Sequence, residues 1–186
     1  MPIISSKASM SAQAYGLLGV TSTFSLTGAY DALATVTVGS GGASSITFSG
    51  IPSTYTHLQI RGFAHNTSGT DAYIQLNGSN TTYRHQLYGD GSSATGSANS
   101  GTGYIILTPS SGSPFGTSIT DILDYTSTNK VKTIRTFSGY DLNGSGIVGI
   151  GSAINASDTS AVTSITIVSA GTNFAASSTF SLYGVK

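Results

Sequence analysis

The stretch "TYTHLQIRGFAH", residues 54–65, decides the fold. Successive side chains of a strand point to opposite faces, so His57, Gln59, Arg61, Phe63 and His65 share one side and Leu58, Ile60 and Ala64 the other. One face is largely polar and the other apolar, the pattern of a half-buried strand. Two histidines and an arginine in one short stretch also raise a metal or catalytic site. The spacing opposes it: eight residues at about 3.3 Å each set His57 and His65 roughly 26 Å apart, whereas two ligands of one zinc come within about 4 Å of each other. The expectation is a long strand with Leu58, Ile60 and Ala64 in the core. His57, Gln59, Arg61 and His65 then face solvent or a neighbouring subunit.

The composition extends this reading to the whole chain. Of 186 residues, 82 are Ser, Thr or Gly, and Glu is absent. The strong helix formers that fill solvent-facing helix positions are mostly missing, while Thr, Val, Ile, Tyr and Phe suit a pleated, half-buried surface. Apolar residues reach 38% and recur along the whole length, which separates the chain from Gly/Ser-rich disorder. Seven basic and seven acidic side chains give zero formal charge, with no cluster beyond "KVK" at 130–132. That leaves no electrostatic footprint for nucleic acid or an anionic membrane. Low charge favours association, so a symmetric homo-oligomer or a larger assembly is expected; among homo-oligomers a trimer is favoured. Without Cys there are no disulfides, zinc-thiolate sites or thiol chemistry. No apolar run approaches the length of a membrane span or a signal-peptide core, so the protein is expected not to cross a membrane on its own.

Along the chain, residues 1–32 show no clear alternation and read as an N-terminal arm or anchor. Residues 33–186 read as one domain. There, eleven β-type runs alternate with Gly, Ser, Asn and Pro punctuation, from "LATVTV" at 33–38 to "TFSLYGV" at 179–185. The fold class is all-β: an antiparallel β-sandwich, jelly-roll-like, of about eight to eleven strands. Two Asn-Gly turns predict hairpins, one joining 71–76 to 82–88 and one joining 131–141 to 146–150. Residues 89–103, with nothing apolar larger than Ala, read as a long mobile loop. "STFSLTG" at 22–28 nearly repeats as "STFSLYG" at 178–184, without a period that would make a repeat architecture.

The chemical motifs dissolve under inspection. His85 would at most pair across the sheet with one other histidine. "DLNGSGIVGIGS" sets Asp141, Asn143, Ser145 and Gly146 at calcium-loop positions, but Ser152 stands where such a loop needs a bidentate Glu. Gly144, Gly146 and Gly149 match GxGxxG with no helix following to meet a phosphate. Ser127 and Lys130 form S-x-x-K in a turn, without companion motifs. Asp121 and Asp124, three apart in a strand, face opposite ways and make a poor glycosidase pair. No catalytic residues, metal ligands or cofactor are therefore assigned, and the chain is read as not an enzyme. Tyr83, Arg84, His85 and Tyr88, leading into a Gly-rich segment, combine rings and hydrogen-bonding groups as a glycan contact does.

Three separated blocks, "SSITFSGIPSTYTHLQIRG" (44–62), "GTSITDILDYTSTNKVKTIRTFSGYD" (116–141) and "NFAASSTFSLYGVK" (173–186), together resemble virion structural proteins of tailed bacteriophages, many from marine cyanophages. The resemblance covers about residues 36–186. It implies a non-enzymatic β-sandwich displayed on the virion after assembly in the host cytoplasm, and capsid or tail subunits as partners. Its role would be a head decoration, cement or capsid-fibre protein anchored by its arm. The alternative is a tail-fibre or tail-tip module binding host glycan. The resemblance carries over no functional residue.

Overall fold

The computed structural model describes residues 28–110, 114–156 and 158–186. The expected arm lies outside them except for residues 28–32, of which 30–32 already belong to the first strand. Thirteen strands occur among the described residues. They are β1 (Tyr30–Thr37), β2 (Ser45–Ser49), β3 (His57–Ala64), β4 (Ala72–Leu76), β5 (Ser79–Asn80), β6 (Thr82–Gly89) and β7 (Ala94–Thr102), followed by β8 (Tyr104–Ile106), β9 (Gly116–Ile122), β10 (Thr133–Asp141), β11 (Gly146–Ile154), β12 (Ser164–Ser169) and β13 (Thr179–Val185). No described residue lies in a helix.

Two unequal sheets form the sandwich. The large one runs β1-β13-β3-β9-β10-β11-β6-β7, and the small one β2-β12-β4-β5, with β8 also on β4. Each of these pairings is antiparallel. The core lies between them, because alternate residues of facing strands are apolar. The small sheet contributes Ile46, Phe48, Ile74, Leu76, Ile165 and Ile167, and the large sheet Leu58, Ile60, Ile122, Ile134, Phe180 and Leu182. Each such side chain contributes about 1.5–3 kcal/mol by leaving water. Thr120 and Thr136, also buried, satisfy each other at 2.8 Å.

All eleven expected runs overlap strands, and β3 orients as its alternation predicts, with Leu58, Ile60 and Ala64 buried. Two expectations fail. Residues 89–103 are not one long loop: β7 pairs with β6 from Gly89↔Ala94 to Thr82↔Thr102. Backbone ladders need no apolar side chains, so a Ser/Gly/Ala segment can serve as an edge strand. Asp90 Oδ1 fixes the turn, accepting the N–H groups of Ser92 (2.9 Å) and Ser93 (2.8 Å). Nor does the turn at Asn77-Gly78 join 71–76 to 82–88. It returns β4 only as far as β5, after which both the N–H and the Oγ1 of Thr81 bind the Ile74 carbonyl and the chain crosses to the large sheet. The second Asn-Gly turn, with Asn143 and Gly144 at φ of 63° and 96°, does join β10 to β11.

Candidate functional site

The histidines do not gather. His57 opens β3, His65 follows its end, and His85 is on β6, with β9, β10 and β11 between β3 and β6. At about 4.8 Å per strand, this puts His85 roughly 19 Å across the sheet from either, so the expected cross-sheet pair is not formed. His57 Nδ1 accepts the backbone N–H of Asp124 at 3.0 Å and lies 3.8 Å from the Asp124 carboxylate, which puts a neutral ring's proton on Nε2. The Asp124 carboxylate pairs with Lys130 at 3.0 Å, which holds it below the usual carboxylate range. Lys130 is thus engaged by a carboxylate, and the S-x-x-K match lies in a surface turn. Asp124 lies past the end of β9 at φ 48°. Asp141 Oδ1 accepts the Gly144 N–H at 2.9 Å, bracing the hairpin turn. Among the described residues no group of three His, Asp or other acidic ligands could hold a metal ion.

The suggested glycan set is divided by the pleat of β6. His85 is exposed on the outer face, whereas Arg84 and Tyr88 belong to the opposite face, where Tyr88 packs over Gly149 of β11. Tyr83 lies in the same strand. The β3 set, His57, Gln59, Arg61 and His65, does share one side but is only partly open. Gln59 is 8% exposed, donating to Asp121 Oδ1 and accepting from Arg61 Nε, both at 2.9 Å. The Arg61 guanidinium sits over the rings of Tyr30 and Tyr183, at 5.2 and 4.6 Å, a cation–π arrangement that fixes it. His65 stands edge-on to Phe115, which stacks on Phe63 at 4.8 Å.

Strand register brings together something else on this outer face. A first row crosses the strands as Arg61, Ile119, Phe137, Ile150 and Leu87, each opposite the next. Its four apolar members are all exposed, Phe137 by 57%. A second row, two residues along, runs Phe63, Thr117, Gly139, Val148 and Gly89. On the other side lies a polar row of Gln59, Asp121, Arg135, Ser152 and His85, with Arg135 3.3 Å from Asp121. Shallow hollows open beside Phe137, floored by Gly89, Gly139 and Thr117. A contiguous exposed apolar band with a polar border is the anatomy of an interaction surface.

The sequence carried a signal for this face. In "GIVGIG" the large residues Val148 and Ile150 point out while Gly149 and Gly151 are buried, so the amphipathicity of β11 is inverted. No family model, curated protein or solved structure matches this chain.

Proposed function

We propose that the chain is a non-enzymatic structural protein of a tailed-phage virion, a head decoration, cement or capsid-fibre protein that packs against its neighbours through the outer face of its large sheet. The observation that carries this reading is the exposed row Ile119, Phe137, Ile150 and Leu87, beside which Gln59, Arg61, Asp121 and Arg135 are engaged with one another. Apolar side chains held out in water across four adjacent strands gain stability by being covered, and the close-packed neighbours of a particle, further copies of this chain among them, supply the cover. The resemblance of the three sequence blocks supports the same reading.

A second reading, a tail module for host glycan, draws support from the Phe137 ring beside Arg135, Ser152 and His85, a stacking platform bordered by hydrogen-bonding groups. Quantitative mass spectrometry of purified particles, with labelled imaging, separates the two. Hundreds of copies over the head support the decoration role, a few tens or fewer at the tail support the glycan module, and absence from particles overturns both.

A further inference from the structure

We propose that two copies of this chain pair face to face through their large sheets, about a two-fold axis that crosses the strands midway between Phe137 and Gly139. Such an axis exchanges the first and second rows of the outer face. The two rows are matched to each other in size: where the first has Phe137 and Leu87, the second has Gly139 and Gly89 on the same strands. The exchange lays each Phe137 ring into the glycine-floored hollow of the other copy and each Leu87 over the partner's Gly89. Ile150 meets the partner's Val148. Phe137 and Leu87 stand out where the other row has glycine, while Val148 and Phe63 stand out from that other row, and such interlocking within one face is the self-complementarity an isologous interface requires.

Charge follows the same symmetry. Arg135 lies one step outside the first row on β10, and Asp141 one step outside the second on the same strand. The axis sets each Arg135, whose guanidinium already lies 3.3 Å from Asp121 of its own chain, opposite the partner's Asp141, so that each guanidinium bridges the two carboxylates at the border of an apolar centre. The chain's zero formal charge leaves no net repulsion between copies. Eight strands at about 4.8 Å and seven residues at about 3.3 Å give a face of roughly 900 Å², enough for the roughly 800 Å² that each partner contributes to a standard stable interface. Size matching and charge matching within a single face commit the occupant to a second copy. The inference does not rest on the particle reading, and a chain absent from virions that still pairs this way leaves it standing.

The test is the oligomeric state of the full chain in solution, by analytical ultracentrifugation over a dilution series, with circular dichroism as the check on folding. A dimer with a dissociation constant of about micromolar or tighter is expected. Phe137→Asp weakens it by at least about tenfold, whereas Thr47→Asp, on the exposed face of the small sheet, leaves it unchanged. Arg135→Glu and Asp141→Arg each weaken the dimer, and the double variant regains much of the loss, which only their pairing across the axis accounts for. A monomer throughout, a trimer, a dimer indifferent to Phe137→Asp, or a double variant no better than its parents overturns the proposal.

Discussion

Asp71 shows how a single residue can set the pH response of a nearly uncharged protein. It stands at the start of β4 in the left-handed region, φ 72°, and its carbonyl accepts from Asn66 Nδ2 at 2.9 Å and from the Ala170 N–H at 3.0 Å. Burial pushes its carboxyl up from 3.8 to about 6, against the opposing pull of Arg84. The folded state therefore holds this proton more tightly than the unfolded chain does. The contribution is fully present below about pH 3.8 and is lost as pH rises through about 6. That rise corresponds to about 3 kcal/mol for a fully dry site, and partial exposure reduces this to about 2 kcal/mol. Asp71→Asn keeps a residue that tolerates positive φ and removes the titration. Urea unfolding from pH 4 to pH 8 should show the variant gaining about 2 kcal/mol on the parent as pH rises; parallel stability curves would refute the assignment. None of this was legible in "TDAYIQL", where Asp71 reads as a turn residue. Lys132 is a similar case: nothing in "KVK" sets it apart from Lys130, yet the residue is 1% exposed and its ammonium is held by the carbonyls of Ser127, Lys130 and Thr159. Burial that tertiary loops create has no local pattern.

Among the elements, the β4–β5 turn carries more than its size suggests. Asn77 takes φ 50° and clamps the entry to β12: Nδ2 donates to the Ala161 carbonyl at 3.0 Å, and Oδ1 accepts the N–H groups of Thr163 (2.9 Å) and Ser164 (3.2 Å). Asn77→Ala loses these bonds and puts a poorly suited residue at positive φ, an expected cost of about 2 kcal/mol in denaturant midpoint experiments. Asn77→Gly keeps the backbone conformation and should recover part of it; equal losses in the two variants would show that the bonds alone matter. The sequence announced this turn correctly and misled on what it joins, because Asn-Gly specifies a local reversal and says nothing of where the chain goes next. The same division runs through the other strands. Strong alternation made β3, β10 and β12 readable, whereas β7 has no apolar period to read. β11 carries its period with the sense reversed, since glycines are needed inside where Tyr88 and Leu107 press on Gly149. Interaction faces are hidden from a period-two reading for this reason: an outward apolar residue looks like a core residue until the partner strands are known.

At the scale of the molecule, the order of pairing makes the last strand a condition for the rest. β13 lies between β1 and β3, pairing Tyr30 with Val185 on one side and Val185 with His57 on the other. The small sheet also closes late, since β12 is the strand that joins β2 to β4. Among the described strands only the β4–β5 and β6–β7 hairpins and the β9–β10–β11 meander are local, so most closure costs precede the contacts that offset them, and folding is expected on the millisecond-to-second scale of all-β sandwiches. Phe180 and Leu182 of β13 are almost fully buried, with Phe180 against Phe174 at 5.0 Å between ring centres. Removing residues 179–186 therefore gives up about 3–6 kcal/mol of side-chain burial and the ladders to two neighbours, against a total stability of about 5–15 kcal/mol for a domain. The truncated chain should show no cooperative thermal transition and should be cut by protease along β1 and β3. Supplying the segment 179–186 as a separate peptide should restore protection in β1 and β3 together, because both depend on the same strand. Protection that survives truncation would mean that β1 finds another partner and that the large sheet is held from its β9–β11 centre outward.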